Sequence, residues 1–305
     1  MKSSRKVLVL LHARPASKKS LALGPFKDAM ETGIDNLRVD ISTLEDLLFE
    51  VNTGKSPLVI DNISGNNICD YDLVFFRTTR NNRTQVSLCV QALKAADKPY
   101  IDSMYRSGFY SKLSGDGLRA EANIPVIPSF HTSNRLLLEL ANADKLPYSY
   151  PFILKDIVGR KGKNNHLITD IDQLKRVLEL DPTITYVVQP FIENDGDYRV
   201  LVLGGRAVLV IHRRAVSGSH LNNVSAGGEA TLIELDKLPS EVIQMAEKSA
   251  VQSNIEVAGV DILMNKSTRE YYVLEVNSSP QLLSGSFVDT KMQAFNKYIG
   301  ELLDK

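Results

Sequence analysis

One stretch narrows the folds open to this chain: Gly259-Val260-Asp261-Ile262-Leu263, a polar run over 265–270, then Tyr271-Tyr272-Val273-Leu274-Glu275-Val276-Asn277-Ser278-Ser279-Pro280. Successive strand side chains point to opposite faces, so the alternation on either side of the polar run reads as a β-hairpin. Val260, Ile262, Met264, Tyr272, Leu274 and Val276 fall on one face and suit a core, while Asp261, Glu275 and Asn277 fall on the other. The loop lets Asp261 sit opposite or nearly opposite Glu275, where cross-strand Cβ atoms stand about 5 Å apart. Two carboxylates and an amide oxygen on one sheet face form a hard-oxygen site that suits Mg²⁺ or Mn²⁺ over zinc or copper. The alternative is a plain solvated hairpin face; against it stand the apolar, β-branched neighbours of both carboxylates.

The chain has 305 residues, enough for two or three lobes with sizeable cores. Lys plus Arg and Asp plus Glu both number 36, so no net field favours nucleic acid or an acidic membrane as a partner. No apolar run approaches the roughly 20 residues of a membrane helix. The basic start Met1-Lys2-Ser3-Ser4-Arg5-Lys6 is followed only by Val7–Leu11, too short for a secretory signal, and that run reads as a first strand. Cys69 and Cys89 have neither metal nor redox spacing, and the five histidines show no ligand pattern. Reduced thiols make the cytoplasm the simplest compartment.

Strands alternating with helices over residues 1–103 predict an N-terminal α/β lobe with a parallel sheet. Val7–Leu11 and Asp72–Phe76 read as buried strands, and Ser42-Thr43-Leu44-Glu45 as a capping box opening a helix through Val51. A helix capped by Thr84 would bury Cys89, and Pro99–Asp102 returns as a strand. Residues 104–192 form a central α+β lobe. It opens with helical pattern, including a helix capped by Ser133. It continues with strands at 152–155, 166–168 and 185–189 and a helix at 171–180. Gly115-Asp116-Gly117 loosely fits a dinucleotide fingerprint but follows no strand, and the chain contains no P-loop pattern. Residues 193–305 form a C-terminal α+β lobe in which Gly204-Gly205 turns a hairpin. Pairing Leu203 with Arg206 puts Tyr198, Val200, Val202, Ala207, Leu209 and Ile211 on one face.

Lys155 ends an apolar strand just before the loop Gly159–Asn165, and backbone N–H groups plus a fixed ammonium are a way to hold phosphates. Lys161 and Lys163 read as solvated. Gln189–Ile192 ends a strand between two units, where a flat base could lie against backbone edges; a plain linker is the alternative. Arg213 and Arg214 are adjacent and point to opposite sides. Asp197 and Arg199 share the face of Arg214 in this register and read as a surface pair worth at most about 1 kcal/mol.

In order and spacing these parts resemble the ATP-grasp superfamily, and within it the RimK-type glutamate and amino-acid ligases. The resemblance runs from Phe152 to Pro280. It rests on Phe-Ile-Leu-Lys155 with its glycine loop, Val-Val-Gln189-Pro190-Phe191-Ile192, Gly196-Asp197-Tyr-Arg199, Ile-His-Arg213-Arg214, Asn223 ahead of Gly227-Gly228, Gly-Val-Asp261-Ile, and Leu-Glu275-Val-Asn277-Ser-Ser-Pro280. It implies a three-lobed α/β architecture with ATP between the second and third lobes. It also implies that Asp261, Glu275 and Asn277 hold two Mg²⁺ ions, with Mn²⁺ as a substitute. Lys112 and Lys155 would contact the phosphates, Gln189, Pro190, Phe191 and Ile192 would line the adenine, and Asp197 would lie near the ribose. Arg213 and Asn223 would serve the reacting phosphoryl group.

The implied activity is ATP-dependent joining of a small-molecule or peptide carboxylate to an amine through an acyl phosphate, by a soluble enzyme free to form a homo-oligomer. A small-molecule kinase or a non-catalytic ATP-binding module on the same fold are the alternatives. One departure stands out. The resembling ligases carry an arginine where this chain has Leu221, in His220-Leu221-Asn222-Asn223. A cation beside the acceptor is therefore missing.

Overall fold

The computed structural model describes residues 4–12, 23–79, 82–106, 112–159, 163–214 and 228–304. None of its helices is long and apolar enough to cross a membrane.

The first sheet comes from β1 (Arg5–Leu11), β2 (Leu37–Thr43), β5 (Leu73–Arg77) and β6 (Tyr100–Ile101), ordered β2-β1-β5-β6 and parallel throughout. Both faces of β1 are covered, which is why its sequence is a continuous apolar run rather than an alternating one. Val7, Val9 and Phe75 face α1 (Leu23–Gly33), and Leu8, Leu10 and Phe76 face α2 (Arg83–Ala95). Cys89 lies buried in α2 as its apolar pattern requires. The expected helix at 44–51 does not form. Ser42 stays in β2, paired with Leu10 of β1 and with its hydroxyl turned to buried Asp61 at 2.7 Å, so the backbone is extended where that helix would start. A short 3₁₀ turn at Leu44–Asp46 leads instead into a hairpin of β3 (Leu47–Glu50) and β4 (Leu58–Asp61).

The second sheet is antiparallel, in the order β7-β10-β8-β9, from β7 (Phe130–His131), β8 (Phe152–Asp156), β9 (Asn165–Ile168) and β10 (Tyr186–Pro190). One face is packed by α4 (Asn134–Asn142) and α5 (Ile171–Leu180), which enclose a core of their own around Phe152, Leu154, Leu174 and Val188. Both helices start on side-chain caps, Ser133 accepting from the Leu136 N–H at 3.3 Å and Asp170 from the Gln173 N–H at 2.7 Å. α3 (Lys112–Glu121) precedes this sheet and contains Gly115 and Gly117 within its turns, so no dinucleotide loop exists there. Between α3 and β7, Val126 bridges to Val273, whose N–H donates to the Pro125 carbonyl at 2.9 Å.

The third sheet is antiparallel, ordered β13-β12-β11-β14-β15, from β11 (Asp197–Leu203), β12 (Arg206–Arg214), β13 (Glu229–Ile233), β14 (Val257–Met264) and β15 (Tyr271–Asn277). Gly204 and Gly205 take φ of 56° and 81°, the left-handed pair that a two-residue hairpin turn demands. Two bulges reset which residues share a face. On β12, Val202 pairs with Ala207 but Leu201 pairs with Leu209, so Val208 is the extra residue. Beyond it Leu209, Ile211 and Arg213 turn to the face of Leu201, Arg199 and Asp197, not to that of Tyr198 and Val200. On β15, Asp261 pairs with Glu275 but Ile262 pairs with Val273, so Leu274 is the extra residue. Val273 and Val276 then face the core, and Leu274 and Tyr272 leave it.

α6 (Ser240–Gln252) covers one face of this sheet. On the other, Leu201, Leu203, Leu209 and Ile211 join a core with β1, β5, α1 and α7 (Val288–Leu303). The outer sheets are thus one packing unit. Phe295 of α7 lies 5.8 Å from Phe26 and 5.7 Å from Phe75, ring centre to ring centre. Asp102 reaches across the same junction and accepts from the N–H groups of Glu256 and Val257, both at 3.0 Å.

Burial pushes the Asp102 carboxyl well above the ordinary carboxylate range; the two N–H groups oppose the shift and the Glu256 carboxylate adds to it. The folded chain therefore holds this proton more tightly than the unfolded chain. The stability it contributes is present below about pH 4 and is lost as pH rises through the raised value. Asp102→Asn keeps the carbonyl acceptor and cannot ionise. Urea midpoints recorded from pH 5 to 8 should fall less in this variant than in the wild type, and at pH 8 the variant should be the more stable.

Candidate active site

Six polar side chains share one end of the apolar face that the third sheet turns toward α7: Asp197, Arg199, Arg213, Asp261, Glu275 and Asn277. The register places them there, with Asp197 opposite Arg213, Arg199 opposite Asp261, Asp261 opposite Glu275, and Gly259 opposite Asn277. Arg199 binds Asp261 through two hydrogen bonds, Nε to Oδ1 and Nη2 to Oδ2, both 2.6 Å. Arg213 binds Asp197 in the same forked way at 2.6 and 2.7 Å, and its Nη2 lies 3.0 Å from Asp261 Oδ2. Asp197, Arg213 and Asp261 are all buried.

The sequence reading is corrected in two respects. Asp197 shares a face with Arg213, not Arg214, because the extra residue Val208 shifts the register. The pairs also form an internal network instead of a solvated surface pair. Of the six side chains on this face, Arg199 was the least visible in the sequence; its signal was the i, i+2 spacing from Asp197.

The charges decide one another. Burial acts to raise the Asp261 carboxyl, but Arg199 and Arg213 hold it below the ordinary range. Burial lifts the Asp197 carboxyl, and the neighbouring Asp261 charge lifts it further against Arg213. Burial works to lower the Arg213 guanidinium, and the two carboxylates more than reverse that. Glu275 stands outside this network. It is half-buried and has no hydrogen bond or ion pair among the described residues. Asn277 donates its amide to the Gly259 carbonyl at 3.3 Å and to Asp261 Oδ2 at 3.5 Å.

Lys155 lies on β8 opposite Val187 and Asn165, on the sheet face turned away from α4 and α5. Gln189 shares that face and donates to Ser129 Oγ at 2.8 Å. Pro190 ends β10, Phe191 is exposed, and the Ile192 carbonyl accepts from Asn194 at 2.9 Å. Asp156 closes the base of the glycine loop, accepting from the Val158 N–H at 2.9 Å and the Asn164 amide at 3.0 Å. A side chain at Gly159 would meet Asp156 Cβ and the Lys163 carbonyl, each at 2.8 Å. Asp116 of α3, paired with buried Arg119 at 2.5 Å, is acted on by both Lys155 and Glu275, so one charge field spans the two sheets. Lys112 opens α3. Residues 160–162 of the loop, with His220, Leu221 and Asn223, lie outside the described residues.

Comparison with known proteins gives the family and the fold. Residues 127–301 match the RimK-like ATP-grasp domain, more than half of the chain. The chain belongs to that family. A probable alpha-L-glutamate ligase of Syntrophotalea carbinolica is 36% identical over 136 residues, 43% of this chain and 44% of that protein. The tetrahydromethanopterin:alpha-L-glutamate ligase of Methanosarcina acetivorans is 32% identical over 157 residues, 42% of this chain and 48% of the relative. The matched region thus spans less than half of either curated relative. Among solved structures, the ATP-grasp ligase PsnB complexed with minimal precursor, Mg and ADP is similar with a TM-score of 0.66 at 16% identity, covering 97% of this chain and 96% of that one. The D-alanine–D-alanine ligase of Bacillus anthracis, complexed with ATP, gives 0.64 at 18% identity over 98% and 95%. These likenesses establish the ATP-grasp fold.

The buried network sets a magnitude that separates it from a surface pair. Asp197→Ala should leave Arg213 one carboxylate short and cost about 3–5 kcal/mol, against at most about 1 kcal/mol for a solvated pair. Arg213→Ala should cost a similar amount, and the double variant much less than the two together. Urea denaturation of all four proteins measures the coupling.

Proposed function

We propose that this protein is an ATP-dependent carboxylate–amine ligase. The observation that carries the reading is the face of the third sheet. Glu275 is there an uncompensated carboxylate beside Asp261 and Asn277, within a fold and family whose named members are ligases. Two carboxylates and an amide make a hard-oxygen donor set, and a free carboxylate is the feature that a cation would complete, so the residues fit Mg²⁺. Two ions, with Mn²⁺ as a substitute, are in keeping with the set. When bound, the metal would supply charge neutralisation at the phosphates.

A carboxylate is a poor electrophile because its leaving group would be oxide. Transfer of the γ-phosphoryl of ATP to it gives an acyl phosphate; attack by an amine then forms the amide and releases ADP and phosphate. The chain's part is to position the reactants and to stabilise charge. In this reading Lys155 and Lys112 hold phosphate oxygens and Gln189–Ile192 lie along the adenine. Arg213, fixed by Asp197 and Asp261, presents a pre-oriented cation to the transferring group. With both Asp197 oxygens engaged by Arg213, Asp197 acts as the support of that arginine more than as a ribose ligand. Asn223 serves the acyl phosphate. The uncompensated Glu275 favours this reading over a non-catalytic module. A screen for ADP release over carboxylates and amines, with mass detection of the amide, separates a ligase from a kinase.

Glu275→Ala should abolish ADP release and leave the melting temperature nearly unchanged, because Glu275 bonds to nothing that holds the fold. Asn277→Ala should do nearly as much. Near-normal turnover of either variant at saturating Mg²⁺ places the chemistry elsewhere.

The names of the curated relatives make free glutamate the first amine to try, and Leu221 argues against it. A leucine cannot pair a substrate carboxylate, and burying one unpaired costs several kcal/mol. A peptide end should therefore be the better acceptor. Leu221→Arg should raise activity on free acidic amino acids by up to one or two orders of magnitude, if a charge-assisted hydrogen bond of about 1.5–3 kcal/mol forms. Efficient ligation of free glutamate by the wild type counts against this assignment.

A further inference from the structure

The segment that follows Asn277 is held from the N-terminal sheet. Arg77 is the last residue of β5 and is opposite Leu11 of β1. Its guanidinium lies over the Phe26 ring at 5.1 Å and the Phe75 ring at 5.4 Å, and its Nη2 donates to the Pro280 carbonyl at 3.4 Å. The next residue, Thr78, donates its N–H to Ser279 Oγ at 3.2 Å. Consecutive residues of one lobe thus grip consecutive residues of another. Pro280 in turn packs on Gly259, where a side-chain Cβ would come within 3.2 Å of it and within 3.7 Å of the Arg199 stem. Gly259 is the register partner of Asn277 and accepts its amide. Pro280 and the Asn277 amide therefore bracket the same glycine, beside the arginine that binds Asp261.

A role in packing alone does not account for Arg77. Its Nη1 is buried with no partner among the described residues, and so is Asp102 Oδ2, whose charge acts on it. Burial brings the guanidinium down to about 10. A buried charge so incompletely paired costs stability that an apolar side chain of similar volume would not. What the arginine adds is a directed bond to Pro280. Further along, Lys291 of α7 donates its ammonium to the Gln281 and Ser284 carbonyls at 2.6 and 2.7 Å, so the loop is anchored at both ends by cations.

We propose that Arg77 is a positioning residue for the metal site: through Pro280 it fixes the Asn277 end of β15, so that the N-terminal lobe sets the geometry in which Asp261, Glu275 and Asn277 meet a divalent cation. The inference rests on the ligase reading of that face. It is tested without turnover, by calorimetric binding of ADP over a range of Mg²⁺ concentrations, with thermal melting recorded alongside. The proteins are wild type, Arg77→Met, Arg77→Lys, Ser279→Ala, and Arg77→Met combined with Asp102→Asn.

Arg77→Met should need about tenfold more Mg²⁺ for half-maximal ADP binding, the lower end of what loss of an outer support does to a metal site. Arg77→Lys should recover part of the difference, because an ammonium still donates to a carbonyl. The combined variant removes both buried charges. It should melt no lower than the wild type and keep the raised Mg²⁺ requirement, a separation that a purely structural role does not produce. Ser279→Ala removes the neighbouring link alone and should shift the requirement in the same direction. An unshifted requirement in a folded combined variant overturns the proposal. If no Arg77 variant folds, an unshifted Ser279→Ala overturns it. ADP binding that is indifferent to Mg²⁺ in the wild type fails the metal reading itself, and the proposal with it.

Discussion

The structure depends on a balance of four charges. Asp197, Arg213, Asp261 and Arg199 sit at the polar end of a sheet face that is elsewhere apolar, and each is neutralised by its neighbours through forked, short hydrogen bonds. An unpaired ion in that position would be costly by several kcal/mol. The pairing makes the site possible by letting the strand ends stay dry and packed while carrying ions. It also leaves Glu275 as the one member of that face without a counter-charge among the described residues. The asymmetry gives the face a direction, with its unbalanced negative charge on the β15 side.

Packing supports this electrostatic arrangement unequally. The first and third sheets share a core through α1 and α7, with Phe295 between Phe26 and Phe75. The central sheet has a core of its own. The first and third sheets are therefore packed as one unit, and the six polar side chains belong to it. The part that carries Lys155 and the glycine loop is packed separately.

Much of this was legible in the sequence because the local periodicities are strong. The hairpin around 265–270, the helix at 171–180, the Ser133 cap and the opposition of Asp261 to Glu275 all follow from alternation and cap chemistry. What escaped did so for physical reasons. A bulge adds one residue and inverts every face beyond it, and neither Val208 nor Leu274 announces itself by composition. The faces written for Leu209, Ile211, Tyr272 and Leu274 were wrong on that account, and so was the pairing of Asp197 with the Arg214 side. The capping box at Ser42 failed because β2 runs on through Thr43 beside β1, a long-range pairing that keeps the backbone extended there. Nothing local in the first hundred residues shows that β1 and β5 will share a core with strands two hundred positions later.

One small contact has a mechanical meaning. Val126 bridges to Val273, two residues from Glu275, and the Val273 N–H is held by Pro125. The central sheet begins at Phe130. A tie so close to Glu275, at the root of a separately packed lobe, joins the two packing units through a short piece of backbone. A turn of that lobe about the tie would displace Lys155 more than Glu275, because Glu275 lies on the strand that is held and Lys155 on the sheet that would move.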